Sequence, residues 1–403
     1  MFWDYYKYIA IAALLIQVLY IILAYRNYRF VCLKSKSKIN GYAPFTLLTV
    51  PCKGIDHEFT KNISAFFNLN NDNHILHFVV ESELDPAYQQ LHRLIDRFSQ
   101  SSKARVIRVF VAGKATGCSQ KIHNLLYSVN HSPSETKVYA FADSDACPHP
   151  NWLSQLIYPL KESKRGATTG YRWFVPSKSN LATLALSAIN AKVTQLLGNT
   201  HFNHAWGGSM AIRASLFRET GLDKTWQTAL SDDFCLSRAV KKAHKKVAFV
   251  PACLIASYEQ MNWAQLFEFT RRQLLITRVI MPGTWLFGLF SVSFSILGLG
   301  LGAILTIIAT ATKQPNLMLF SMVPIFFLLG QTFRAILRQN MMTKLLPDDV
   351  PQMKKAMIAD IVGAPLWSWV LLISIIASTV GRTITWRGIK YKLIGPTETE
   401  ILK

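Results

Sequence analysis

The sequence predicts an α/β domain over residues 42–262, carried between one N-terminal membrane helix and a C-terminal apolar block. Three observations predict it. An unbroken apolar run opens the chain and is closed by basic residues. The middle alternates short β-branched or aromatic runs with amphipathic stretches, a pattern that builds a sheet with helices on its faces. Three further apolar stretches near 284–311, 317–333 and 358–380 end the chain.

The first run, Tyr8 to Tyr25, is interrupted only by Gln17 and has about the length needed to cross a hydrocarbon core. No small-residue cleavage site follows, so residues 1–30 read as an anchor rather than a removable leader. Arg26, Arg29, Lys34, Lys36 and Lys38 follow it, against Lys7 before it. Basic residues stay on the cytoplasmic side of a span, so the domain after the anchor is expected in the cytoplasm. Strands are expected at Phe45–Val50, Ile75–Val80, Arg105–Val111, Lys137–Ala142 and Lys246–Pro251. Amphipathic stretches near 181–199 and 262–281 have the mixed faces of interfacial helices, or of core helices. Residues 263–283 are accordingly read as an interfacial segment. The block 284–380 supplies two or three spans. Gly363-Ala364-Pro365 makes the last one re-entrant or interfacial if it does not cross, and residues 381–403 form a basic tail.

Half of the residues are hydrophobic, 17% are charged and the formal net charge is +21. Soluble chains carry nearer a quarter charged residues. Lys and Arg crowd the edges of the apolar segments, which favours anionic lipid headgroups as partners. No nucleic-acid-binding motif is present. The six cysteines are scattered with no C-x-x-C pair, which argues against a disulfide framework and fits a reducing compartment. Asn62-Ile63-Ser64 has the form of a glycosylation sequon, a weak signal by itself.

Chemistry is concentrated at predicted strand ends. Phe141-Ala142-Asp143-Ser144-Asp145 places two carboxylates at the carboxyl end of a strand, where open α/β sheets bind ligands. One can reach Mg²⁺ or Mn²⁺, which take few carboxylates plus phosphate oxygens, and the other a nucleoside. The same residues also suit a plain polar turn. Ser231-Asp232-Asp233 precedes a helical stretch. It serves as an N-terminal cap or supplies the base that takes a hydroxyl proton during glycosyl transfer. Glu81-Ser82-Glu83-Leu84-Asp85 ends another strand. Gly113-Lys114, Lys121 and Asn124 lie between these acids, and a Lys meets phosphate as a point charge. Trp206-Gly207-Gly208-Ser209 lets backbone approach a sugar closely, or forms a turn.

In this order the elements resemble the ceramide glucosyltransferases and their bacterial relatives, family 2-related inverting enzymes of GT-A fold. The resemblance is carried by Val50-Pro51-Cys52-Lys53-Gly54, Leu84-Asp85-Pro86-Ala87 and Gly113-Lys114. It continues through Lys121-Ile122-His123-Asn124-Leu125, Asp143-Ser144, Gly208-Ser209, Asp232-Asp233-Phe234 and the tail from Ile384 to Leu393. It implies a Rossmann-like nucleotide-diphospho-sugar domain that moves a hexose, glucose first, from a UDP-sugar to a lipid hydroxyl such as that of ceramide. Carried over, Asp85 and Asp143 hold the uridine and ribose, and Asp145 holds Mg²⁺ or Mn²⁺ beneath the diphosphate. Lys121, Asn124 and Arg272 support the donor, while Gly208, Ser209 and Asp232 line the acceptor or sugar pocket. Asp233 is the general base. Where relatives carry Gln/Arg-x-x-Arg-Trp, this chain has Phe269-Thr270-Arg271-Arg272-Gln273, so the Arg matches and the Trp does not. Two other readings share the residues: a processive polysaccharide synthase, and an inactive membrane sensor that binds UDP-sugar without releasing UDP.

Overall fold

Seven strands form the central sheet: β1 (Thr46–Pro51), β2 (His74–Val80), β3 (Val106–Val111), β4 (Val138–Ala142), β5 (Arg165–Pro176), β6 (Ser209–Arg213) and β7 (Lys246–Glu259). The computed structural model describes residues 1–35, 41–56 and 58–402. The expected basic residues Lys36 and Lys38 therefore lie outside the described residues. The strand order is β3-β2-β1-β4-β6-β5-β7. β1 runs parallel to β2 and β4, and β2 parallel to β3, while β6 is antiparallel to β4 and β5. Every residue of β2 and β4 is buried, as expected of strands covered on both faces.

The direction of β6 decides which residues reach the cleft. Because it reverses against β4, its first residue, Ser209, pairs with the last residue of β4, Ala142. Trp206-Gly207-Gly208 thus enters at the edge where Asp143 leaves. β5 pairs in parallel with β7 over a long extension, with a register shift after Thr169. Gly170 sits at that shift, where an added Cβ would run into the Cys253 carbonyl oxygen. The extension carries Tyr171 and Arg172 past the sheet edge. β5 and β6 lie outside the expected strands.

Among the described residues, three helical stretches are long and apolar enough to cross a membrane: Phe2–Lys34, Pro282–Ala311 and Leu317–Leu345. Their outward surface is apolar, including Leu19, Ile307 and Leu329. Gly330 lets Gln17 reach the neighbouring helix, since an added Cβ there would run into the Gln17 amide nitrogen. That amide donates to the Phe326 carbonyl at 3.3 Å.

The last apolar stretch is not a straight span. Helices Pro347–Val362 and Ala364–Ala377 meet at 84°, and the break falls at the expected Gly363. Lys192 donates to the Ala364 carbonyl at 3.2 Å and to the Ser368 hydroxyl at 3.0 Å. The helix bearing Lys192, Leu181–Thr194, is buried almost all round. It packs beneath the sheet extension and the bent helices, so it is a core helix and not a helix on the bilayer surface. Its polar side chains Ser187 and Lys192 are hydrogen-bonded inside the protein instead of facing water.

The basic tail is folded as well. Residues beyond 382 form an antiparallel sheet, β8 (Thr383–Trp386), β9 (Ile389–Gly395) and β10 (Glu398–Leu402), in the order β10-β9-β8. Ile384, Tyr391 and Leu393 are buried with Leu230, Leu275, Ile276 and Ile280. The Thr228 hydroxyl donates to the Thr397 carbonyl at 2.7 Å. The tail therefore sits on the same side as the α/β domain. The alternative in which it lies across the membrane is excluded by this packing. Asn62 of the sequon is buried in a helix, and all six cysteines are free.

Candidate active site

Four acids gather near one lysine. Asp143 and Asp145 come from the end of β4, and Asp232 and Asp233 from the start of the helix Asp232–Lys242. Lys121 lies in the first turn of the helix Gln120–Asn130, which is capped by Ser119. Its ammonium lies 2.7 Å from Asp143 Oδ1 and 3.1 Å from Asp232 Oδ2. Asp232 is 4% exposed and Asp143 26%, so the first is interior and the second opens to the cleft. Among the described residues no donor is well aligned on Asp232 Oδ2, so its contact with Lys121 is chiefly an ion pair. Gly207 makes this approach possible, because an added Cβ would collide with both Asp232 Oδ2 and the ammonium. Burial pushes Asp232 up to about 6, with Lys121 opposing and Asp233 and Asp143 adding to the rise. Burial also works against the charge of Lys121, but Asp143, Asp232 and Asp233 overcome it and hold the ammonium above the usual lysine range.

Asp233 is the second residue of the pair and is fixed differently. Its Oδ1 accepts from the Phe234 amide at 2.7 Å and from the Ser231 hydroxyl. Among the described residues its Oδ2 accepts only from the Gly207 amide, at 3.2 Å, and so keeps an open lone pair. Ser231 is the helix cap, so the capping reading and the base reading are satisfied by different residues.

Asp145 stands apart. No hydrogen bond or ion pair among the described residues engages its carboxylate. Burial raises its pKa, Asp143 adds to the rise, and Arg172, Arg387 and Lys121 oppose it. Arg172 lies over the Trp206 ring at 5.6 Å and the Phe269 ring at 5.5 Å. Arg272 lies over the same Phe269 ring at 5.5 Å and donates to the Thr385 carbonyl of the tail at 3.4 Å. Glu259, at the end of β7, is raised by burial and feels Arg172 and Asp145.

The remaining expected residues fall into two groups. Asp85 caps the helix Pro86–Phe98, with Oδ1 accepting from the Gly54 and Ala87 amides at 2.9 Å each. Gly54 has φ +69°, a left-handed turn that suits glycine. Asn124 is buried and donates to the Val79 carbonyl at 3.3 Å, while accepting from Gln120 at 2.9 Å. Gln120 in turn donates to the Gly113 carbonyl at 2.8 Å and accepts from the Ala115 amide at 2.9 Å. Asn124 thus supports the Gly113 loop from behind. Gly208 is needed for packing, since an added Cβ would run into the Trp206 ring. Ser209 is buried, and its hydroxyl accepts from the Trp152 indole at 3.0 Å; that side chain belongs to the sheet. Sequence reasoning singled out the Gly207-Gly208 pair but not its fit against Asp232 and Lys121, and it missed Arg172 and Arg387. The alternating tail with Arg387-Gly388 at its centre held a signal for the last.

No group of three or more His, Cys, Asp or Glu side chains that could hold a metal occurs among the described residues. A divalent ion does not need one here. Asp145 is half-buried, has no partner among the described residues and stands two residues from Asp143. Mg²⁺ or Mn²⁺ completes its shell with phosphate oxygens and water. The donor set fits such an ion when a phosphorylated ligand is present.

The family model described as glycosyl transferase family 21 matches residues 9–398. Among solved structures, the chain is similar to a mannosyltransferase, PcManGT from Pyrobaculum calidifontis, determined in complex with GDP-Man and Mn²⁺. The identity is 12%, with a TM-score of 0.46, over 93% of this chain and 97% of that one. It is also similar to GalNAc-T7 with UDP, GalNAc and Mn²⁺, at 11% identity and a TM-score of 0.39, over 59% of this chain and 51% of that one.

Proposed function

The chain belongs to glycosyl transferase family 21, and from that premise we propose that it transfers a hexose, glucose first, from a UDP-sugar to a lipid hydroxyl such as that of ceramide, with inversion and at the cytoplasmic face. The observation that carries this reading is Asp233, held rigidly at the cleft with Oδ2 open, beside the Asp143–Lys121–Asp232 chain. In a single displacement the acceptor hydroxyl passes its proton to Asp233 Oδ2 as its oxygen attacks the sugar C1. The C1 bond to the diphosphate oxygen breaks on the opposite face, and the nucleoside diphosphate leaves with the electron pair. Lys121 holds Asp143 toward the nucleoside side, with Asp85, and keeps Asp232 from crowding Asp233. Arg272, now held by the Phe269 ring and the Thr385 carbonyl, would meet the leaving diphosphate. Asp145 would hold Mg²⁺ or Mn²⁺, which neutralises charge on the departing diphosphate.

The cytoplasmic placement rests on the basic residues after the first helix. The tail, packed against the same domain, then lies on that side too. The test is direct. Full-length protein in lipid nanodiscs containing ceramide or diacylglycerol, given UDP-glucose and Mn²⁺, should yield a hexosyl-lipid by mass spectrometry. Stripping with EDTA should abolish that product, and adding back Mg²⁺ or Mn²⁺ should restore it. Absence of any glycosylated lipid with UDP-glucose, UDP-galactose or UDP-N-acetylglucosamine overturns the lipid reading. Full turnover in EDTA removes the role given to Asp145.

A further inference from the structure

The C-terminal hairpin reaches the cleft from the far end of the chain. Trp386 pairs with Ile389 across β8 and β9, leaving Arg387-Gly388 as a two-residue turn. Both have positive φ, 49° and 81°, as a type I′ hairpin requires. Such a turn favours Asn or Asp before Gly, so an Arg at this point is kept against the local preference. Its guanidinium meets Asp56 end-on, Nη1 donating to Oδ1 and Nη2 to Oδ2 at 3.1 Å each. The pair is open to solvent, 47% and 39% exposed, and exposed pairs are held weakly.

Asp56 lies two residues beyond Gly54, whose amide binds Asp85. Arg387 is within electrostatic reach of Asp145 and Asp143. Arg272, which donates to Thr385 of the same hairpin, shares the Phe269 ring with Arg172. Neither Arg172 nor Arg272 has a carboxylate partner within ion-pair distance among the described residues. Guanidinium groups from β5, from the helix Trp263–Ile280 and from the tail therefore lie near one another, and those of Arg172 and Arg387 are within electrostatic reach of Asp145. Arginine forks match phosphate oxygens two at a time.

We propose that Arg387 is a phosphate-binding residue of the active site, that Asp56 holds its guanidinium in the free protein, and that a diphosphate takes the place of Asp56 when donor binds. The tail is then a working wall of the site. This inference rests on the nucleotide-sugar reading above, and the experiment separates the two.

The variant Arg387→Asn removes the guanidinium but creates no strain, because Asn-Gly is a favoured pair for this turn. Asp56→Asn breaks the same ion pair from the other side while leaving the guanidinium free. Full-length protein in detergent, with Mg²⁺, is titrated with inorganic pyrophosphate and with UDP, and its thermal midpoint is recorded. Arg387→Asn is expected to weaken both ligands by roughly tenfold or more and to raise the KM for UDP-glucose more than it lowers kcat. Asp56→Asn is expected to leave pyrophosphate binding as tight as in the parent or tighter. If the clasp is only structural, both variants lose affinity and thermal midpoint together, and the inference falls. Unchanged pyrophosphate and UDP affinity in Arg387→Asn also overturns it. A parent protein that binds neither pyrophosphate nor UDP would instead sink the nucleotide-sugar reading itself.

Discussion

Two clusters of charged side chains lie largely out of water in this protein, and they are finished to different degrees. In the C-terminal third of the helix Leu317–Leu345, Arg338 forks both oxygens of Asp360. Gln339 adds a third hydrogen bond to the Asp360 carboxylate at 2.6 Å. Gln195 joins from the end of the helix Leu181–Thr194, while donating to the Arg334 carbonyl at 2.8 Å. The cleft cluster is left incomplete. Among the described residues Asp145 has no partner, Asp232 has an ion pair without an aligned donor, and Arg172 and Arg272 have no carboxylate. Burying charge is costly unless the group is paired. A carboxylate with both oxygens engaged, as in Asp360, holds helices together although Gln339 Oε1 beside it has no partner among the described residues, whereas an unengaged one keeps its capacity for a ligand. Burial alone does not tell the two apart.

Breaking each cluster tests that contrast. The largest effect is expected at Asp233. Asp233→Asn keeps size and most hydrogen bonds but removes the basic oxygen, so kcat should fall by roughly 10²–10⁴-fold with donor KM nearly unchanged. A variant that turns over at the parent rate, or that loses donor binding along with activity, moves the base elsewhere, with Asp232 next.

At the closed cluster the loss should appear in stability. Asp360→Asn leaves Arg338 buried with a weakened partner. Unfolding should become easier by about 3–5 kcal/mol, measured by denaturation in detergent, while the protein that remains folded binds UDP-glucose as the parent does. A specific loss of donor affinity without loss of stability would erase the distinction between the clusters.

The smallest effect is a pH dependence at Asp232. Its pKa in the folded chain is raised to about 6 from the ordinary 3.8, so the unfolded chain gives up this proton first as pH rises. The folded state therefore loses stability through this group between about pH 4 and 6, and the loss is complete above that window. Comparing parent with Asp232→Asn, the difference in unfolding free energy should move toward the variant across the window, on the order of 1–3 kcal/mol. A difference that stays flat from about pH 4 to 7 shows that Asp232 is ionised at its ordinary pKa.

Much of this was legible in the sequence because it is local. Apolar runs of spanning length, β-branched runs ending in Asp143 or in Glu81 to Asp85, and the break at Gly363 are each written in neighbouring residues. The acids at strand ends obey the same rule, since parallel strands send their carboxyl ends to one edge. The tertiary structure alone decided which charges meet. Lys121 bridges Asp143 and Asp232 only because β6 runs backwards and brings Gly207 to the place where β4 ends. Arg387 and Asp56 are 331 residues apart in the chain, and no periodicity links them. The helix Leu181–Thr194 carries the composition of a surface helix and of a core helix equally well, and it became a core helix because the bent C-terminal helices closed over it. Local pattern sets what each segment prefers to be; the path of the whole chain sets which unmet charges and apolar faces find one another.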